Sequence, residues 1–410
     1  MRIYLDYSAS TPVDPEVFEA MKPYFSDKFG NASSIHSFGR EAEIGADEAR
    51  EILSRFFEVD FGEVYFTSGA TEANNWIVNE VLSSKYKVLS EKPHIITSLF
   101  EHESILEPIR RLEGKGLIEA TYLKPSRDGF IDPMDVERAL KQNTALVSII
   151  YVNNEIGTVQ PIKEIGKIIQ AFRVKRLAVR EKLNAKHYTL YPIFHTDAVQ
   201  AIQFFEPRLD YIKVDAMTIS AHKIYGPKGA GALITRKFVP SEPFLLGGGQ
   251  EFEKRAGTLN VPAIIGFGKA VELLQDDNSR HKIIIQDTRL RDLKKRLKSG
   301  ILKISPRVKI TIEKEPLSPH ILHCIFEDIE SQVMLIALDQ EGIAVSSGAA
   351  CSAKAAKPSY VLTSLGYSEG QASHAIRFSL GIYTTEEEID KTIEAIQKIL
   401  KRFNRKSLNI

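Results

Sequence analysis

The stretch "TISAHKIYGPKGAGAL" (218–233) runs from an apolar strand pattern straight into Ser220, His222 and Lys223, then into a turn made by Gly226, Pro227 and Gly229. An isolated lysine at the start of a loop is ordinarily a solvated charge. The apolar run before Lys223 and the glycine-rich turn after it point instead to a residue held in a cleft, where desolvation lowers the amine pKa and makes it nucleophilic. Upstream, Ser68-Gly69-Ala70-Thr71-Glu72 follows the strand pattern "EVYFT" and opens a helix pattern. Such a turn either serves packing or offers free backbone N–H groups and a hydroxyl to an anion such as phosphate. Asp197, in "HTDAVQ", ends another strand pattern, where an acid either caps the next helix or does chemistry. A lysine amine that can form a Schiff base, an acid that can pair with a pyridinium nitrogen and a phosphate cradle are the parts pyridoxal phosphate requires.

A second candidate is a thiol. "SSGAACSAK" (346–354) holds Cys351, one of only two cysteines in 410 residues. Small neighbours let a loop move with little steric resistance, so the stretch of about 346–358 reads as a mobile loop able to deliver a thiolate. Cys324, in "HILHCIFED", sits inside a strand pattern and reads as buried and inert. Two cysteines make neither a disulfide framework nor a thiolate metal site, which favours a reducing cytosol and a free Cys351.

These residues need a frame. "EVYFT", "HIITS", "IEATYL", "ALVSIIYV", "YPIFHTD" and "DAMTIS" are short and rich in β-branched or aromatic residues, and amphipathic stretches such as "DPMDVERALKQ" and "PIKEIGKIIQAF" separate most of them. Alternation of this kind predicts an α/β fold with a mostly parallel sheet covered by helices, whose ligand lies at the carboxyl ends of the strands. From Val261 a long charged helical run leads to "VKITIE", "HILHCIFED" and "AIRFSLG", which predicts a smaller α+β domain. The bounds drawn are 14–260 for the large domain, with 1–13 and 261–410 forming the small one. Lys plus Arg (54) and Asp plus Glu (53) nearly cancel, so no overall charge attracts nucleic acid or a membrane surface. No window approaches the roughly 20 apolar residues of a membrane span, and no leader pattern precedes Asp6, so a cytoplasmic protein is expected.

The motifs "YLDYSASTP", "NASSIHSFGREA", "TSGATEANN", "EHESILEP", "VNNEIGTVQPI", "HTDAVQA", "SAHKIYGPKGAGAL", "GGGQEFEKRAGTLNVPAI", "SSGAACSAKAAKPSYVL" and "IRFSLG" span almost the whole chain. In them the sequence resembles the cysteine desulfurases of the class V aminotransferase family, which have the pyridoxal-phosphate-dependent transferase fold (type I) with a seven-stranded, mostly parallel large-domain sheet. The resemblance implies that Lys223 bonds to the cofactor, that Asp197 pairs with its pyridine nitrogen, and that Gln200 and Asn154 hydrogen-bond near the ring hydroxyl and the substrate. It implies that Ala70, Thr71, Ser220 and His222 hold the phosphate, that His102 stacks on the ring and relays a proton, and that Arg377 grips the substrate carboxylate. Thr258 would reach the cofactor phosphate of a neighbouring subunit, which implies a homodimer. Cys351 would take sulfur from L-cysteine as a persulfide, leaving L-alanine.

The persulfide would pass to an acceptor such as an iron–sulfur scaffold or a tRNA-thiolating enzyme. No resident metal is expected; at most Cys351 would transiently contact a nascent iron–sulfur cluster. A selenocysteine or cysteine-sulfinate lyase, or an aminotransferase of the same fold, does not require Cys351, and a silent scaffold requires none of Lys223, Asp197, His102, Arg377 and Cys351. Three positions depart from the family pattern: Tyr7 for asparagine, Ala32 for proline and Ile382 for arginine. The basic stretch 171–194 is longer than its counterpart and reads as a solvated helix and loop or as a docking patch for an acidic partner or RNA.

Overall fold

The computed structural model of the chain describes residues 2–83, 92–182, 191–237, 239, 242–275, 283–347 and 358–406. Its strands are β1 (Ile3–Tyr4), β2 (Val64–Thr67), β3 (His94–Ser98), β4 (Glu119–Leu123), β5 (Thr144–Ser148), β6 (Ile193–Asp197), β7 (Ala216–Ser220), β8 (Gly231–Thr235), β9 (Val308–Ile310), β10 (Ile321–Phe326), β11 (Ile343–Ala344) and β12 (Ala375–Ser379). Seven of them form one sheet in the order β2-β8-β7-β6-β5-β3-β4. The pairs from β7 across to β4 are all parallel, and β8 runs antiparallel to both of its neighbours.

Strand periodicity explains the near-continuous apolar runs. Successive side chains point to opposite faces, and both faces here are covered. Phe66, Ile96, Val147, Phe194, Met217 and Ile234 enter one core cluster, while their chain neighbours Tyr65, Ile95, Leu146, Ile193, Ala216 and Leu233 enter the other. The first face is covered by helix Ser37–Phe57, through Ala46, Ala49, Leu53 and Phe57, and by helix Ile162–Lys182, through Ile165 and Ile169. The second is covered by helix Ala70–Glu80, through Trp76 and Ile77, and by helix Glu103–Gly114, through Ile105 and Ile109. Edge strand β4 alone is half exposed.

The smaller layer has a three-stranded antiparallel sheet, β12-β10-β9, and a parallel pair, β1-β11. Its core joins Leu293, Leu297 and Ile301 of helix Ile283–Ile304, Met334 and Leu338 of helix Ser331–Gln340, and Ile389, Ile396 and Ile399 of helix Glu386–Lys406. Ile3 and Leu5 enter the same cluster.

Helix Val261–Gln275 lies past the boundary drawn at 260, yet Ala263, Ile264, Phe267, Ala270, Val271 and Leu274 belong to the large-sheet core. At Gly268 an added Cβ would come within 2.7 Å of Ala49 Cβ, so this helix and Ser37–Phe57 approach at glycine contact. A helix apolar on several sides gives no periodic hint of which layer covers it. We place the division after Gln275.

Candidate active site

Asp197 ends β6 and Ser220 ends β7, while Ser68, His102 and Asn154 follow β2, β3 and β5 within a few residues. All of these strand ends open onto one cleft of about 540 Å³, lined by 23 residues that include Ala70, Thr71, His102, Asn154, Asp197, Gln200, Ser220, His222, Lys223 and Arg377. Ten of the residues singled out in the sequence are thus brought together.

Lys223 ends a single 3-10 turn, Ala221–Lys223, directly after β7. Its Nζ donates to the backbone carbonyls of Ser8 and of Ala9, the latter at 2.8 Å. Gln200 Nε2 donates to the same Ser8 carbonyl at 2.9 Å. The N-terminal segment therefore closes the cleft with carbonyl oxygens, which no side-chain pattern announces.

Asp197 is 4% exposed. Its Oδ1 accepts from Val199 N at 3.1 Å and its Oδ2 from Asn74 Nδ2 at 2.8 Å, so this acid both caps the following turn and lines the cleft. Glu101, fully buried nearby, is pushed up to about 8 by burial, with the charge of Asp197 adding to the effect, although Ile150 N and the Ser98 hydroxyl donate to it. At neutral pH Glu101 is therefore mostly a neutral acid. His222 is held down to about 4 by burial and by Lys223 and Lys228, and is neutral as well.

Several donors at the other end of the cleft suit an anion. Gly69 precedes helix Ala70–Glu80 with no side chain capping the helix N-terminus, and the carboxylate of Glu72 is turned aside to Ser68 N (2.8 Å) and Arg255 (2.7 Å). The Ser220 hydroxyl is buried with no partner among the described residues, as is Asn154 Oδ1. Ser8 Oγ and Arg377 Nε, of two further cleft-lining residues, are orphaned too among the described residues; buried polar atoms are ordinarily satisfied, so these orphans mark places where a ligand's polar groups belong. Free helix N–H groups and an orphan hydroxyl fit a phosphate, a buried carboxylate fits a protonated ring nitrogen, and the Lys223 amine lines the same cleft. The residues present fit pyridoxal phosphate.

Arg377, in β12, is 2% exposed and lines the cleft. Its Nη2 pairs with Asp6 Oδ1 at 2.8 Å and its Nη1 donates to Asn154 O at 2.7 Å. Thr258 is exposed and does not line this cleft. Cys351 lies outside the described residues, but the chain on either side of it is anchored. Ser346 bridges to Arg377, and Ser359 Oγ donates to Glu155 Oε2 at 2.5 Å. Glu155 lines the cleft, and burial pushes its carboxyl up to about 7. Cys324 is buried and its thiol is pushed up by desolvation.

The departures from the family pattern do not touch the cleft directly. Tyr7, Tyr225 and Ile382 form one small apolar cluster, so two of the departures share a site. Ala32 packs with Ala42 and Val261. In the stretch 171–194, Arg173 pairs with Asp215 and donates to Pro192 O, and 177–190 fall outside the described side chains. Sequence reasoning gave no role to Asn74, Glu101, Ser104 or Glu155. Asn74 stood inside "TSGATEANN" without a signal of its own.

Residues 3–392 match the family model for class-V aminotransferases, and the chain belongs to that family. Over 406 residues it is 42% identical to the cysteine desulfurase IscS of Dictyoglomus turgidum, covering 98% of this chain and 95% of that one. Among solved structures it is similar to a NifS-like protein (33% identity, TM-score 0.84, 98% of this chain and 100% of that one). It is also similar to SspA in complex with cysteine (34% identity, TM-score 0.75, 94% and 100%). The fold is that of the NifS-like transferases, with a seven-stranded large-domain sheet. Among the described residues no helix is long and apolar enough to cross a membrane, and no group of three His, Cys, Asp or Glu side chains could hold a metal ion.

Proposed function

We propose that the chain is a cysteine desulfurase that removes sulfur from L-cysteine, with pyridoxal phosphate in the cleft and Cys351 as the sulfur acceptor. The observation that carries this reading is the convergence of Lys223, buried Asp197 and the orphan Ser220 hydroxyl on one cleft wall. The degree of similarity to cysteine desulfurases over 98% of the chain supports the same substrate.

When bound, the cofactor draws electrons from the Cα of the amino acid attached to it. With that group in place, Asp197 would keep the ring nitrogen protonated, Ala70, Thr71, Ser220 and His222 would hold the phosphate, and Asn154 and Gln200 would hydrogen-bond near the ring hydroxyl. Arg377 offers its guanidinium edge to the substrate carboxylate. Lys223 Nζ would take the Cα proton and return a proton to Cα before L-alanine leaves. The Cys351 thiolate attacks the substrate sulfur; the carbon–sulfur bond breaks, its electron pair stays on Cβ and is protonated, and L-alanine leaves. Cys351 then carries the sulfur as a persulfide, whose outer sulfur passes to an acceptor thiol of an iron–sulfur scaffold or a tRNA-thiolating enzyme. A reducing, cytoplasmic setting suits that chemistry.

A homodimer belongs to the same reading. Phe25, Phe29, Ile35, Phe38 and Leu246 are between 50% and 93% exposed, the Phe29 and Phe38 rings lie 5.7 Å apart, and Gln250 Nε2 donates to Ser33 Oγ at 3.3 Å, tying the loop that leads to Thr258 to the apolar segment 25–38. A second copy covering it would bring Thr258 towards the other subunit's phosphate site.

The test is to incubate the cofactor-loaded protein with L-cysteine without reductant and to weigh its peptides. A gain of one sulfur atom on the peptide containing Cys351 supports the reading; alanine formed with no sulfur on that peptide contradicts it.

A further inference from the structure

His102 is the N-cap of helix Glu103–Gly114, and its Nδ1 accepts from Ser104 N at 3.1 Å. A backbone N–H can only donate, so this ring nitrogen must be the unprotonated one in neutral His102. The same Nδ1 lies 2.7 Å from Ser104 Oγ. Ser104 Oγ in turn accepts from Asn74 Nδ2 at 2.8 Å, and the other Asn74 amide proton goes to Asp197 Oδ2 at 2.8 Å. The hydroxyl has one proton, and with its lone pair facing Asn74 that proton points at His102 Nδ1. The amide cannot be turned over, since its oxygen would then face the Asp197 carboxylate. Asn74 is fully buried and its Oδ1 has no partner among the described residues, so the side chain sits there for its two donors.

We propose that Asn74 and Ser104 are positioning residues that lock neutral His102 as its Nε2–H tautomer and tie the ring to Asp197 through three hydrogen bonds. The consequence for the reaction rests on the proposed function; the tautomer does not. With Nδ1 facing two donors, His102 offers the cleft a proton on Nε2 and is not a base there. The abstraction of the Cα proton falls to Lys223, and His102 acts as a hydrogen-bond donor.

The experiment is imidazole 15N spectroscopy of the cofactor-loaded protein labelled at histidine, with His102 assigned by its loss in His102→Gln. The account expects a pyrrole-type Nε2 and a pyridine-type Nδ1 in the native protein, the same tautomer with a displaced Nδ1 resonance in Ser104→Ala, where the backbone N–H remains as the single donor, and the native pattern again in Ser104→Thr, which keeps the hydroxyl. It also expects kcat to fall about tenfold in Ser104→Ala with KM little changed, the scale on which partners of reacting groups act. A protonated Nδ1 in the native protein overturns the proposal whatever the variants do, and an unchanged spectrum in folded Ser104→Ala removes Ser104 from it. Absence of desulfurase activity beside an Nε2–H His102 supports the lock and counts only against the function.

Discussion

Ser346 and Arg377 exchange both backbone hydrogen bonds, Arg377 N to Ser346 O at 2.7 Å and Ser346 N to Arg377 O at 3.2 Å. The strand that presents the guanidinium to the cleft thus also fixes the chain five residues before Cys351. Under the proposed function, recognition of the substrate carboxylate and delivery of the thiol would share one anchor. In Arg377→Lys the bidentate geometry is lost, and so is at least one of the bonds to Asp6 and Asn154 O. The expected result is a KM for L-cysteine raised about 10- to 100-fold, with the cofactor still bound, measured by steady-state kinetics.

The cleft wall at Gly69, where the phosphate is proposed to bind, depends on a glycine contact. A Cβ on Gly231 would lie 2.6 Å from Gly69 Cα, and neither backbone can yield without moving the start of helix Ala70–Glu80. Gly231→Ala is expected to weaken pyridoxal phosphate binding about tenfold or more, equivalent to about 1.4 kcal/mol, read by absorbance titration.

The turn ahead of Thr258 is clamped by a buried ion pair. Glu251, Phe252 and Glu253 have φ of 48°, 57° and 62°, and Glu251 accepts from both Arg50 guanidinium nitrogens and from Phe66 N. Glu251→Ala leaves Arg50 buried and unpaired, and a loss of about 3–5 kcal/mol in denaturant unfolding is expected.

Buried titratable groups set a stability optimum. Burial holds His94 and His222 down to about 4 and His195, His320 and His323 down to about 3, each from a usual 6.5. Below pH 6.5 the unfolded chain binds protons that these folded histidines refuse, so stability falls on acidification towards pH 4. Glu101 and Glu155, raised to about 8 and about 7 from 4.5, act the other way, because the folded state holds protons that the unfolded state has lost. Five histidines outweigh two glutamates up to about pH 7, and the glutamates dominate above it until Lys294, held down to about 8 by burial, opposes them. Thermal melting is expected to peak near pH 7 and to decline from there towards pH 8.

Much of this was legible before any fold was drawn. Asp197, Ser220 and Lys223 stand out in the sequence because apolar strand patterns end at polar residues where the chain leaves the sheet, and there the cleft opens. The strand β8 does not, since "GALIT" is short and follows a glycine turn that draws attention to itself. Helix Val261–Gln275 was assigned to the wrong layer because apolar periodicity shows that a face is covered and not by what. Asn74 and Ser104 act by joining His102 to Asp197 across three elements distant in the chain, and the Ser8 and Ala9 carbonyls act through backbone. Neither leaves a mark in residue type or spacing.

The most direct test of the central claim is L-alanine released from L-cysteine by the cofactor-loaded protein and by its Cys351→Ala variant, each with and without a thiol reductant. The account predicts many turnovers in the native protein only when reductant clears the persulfide, and a loss of at least about 100-fold in the variant with its cofactor spectrum intact. Undiminished alanine release by Cys351→Ala, or none from native protein that demonstrably holds the cofactor, would contradict it.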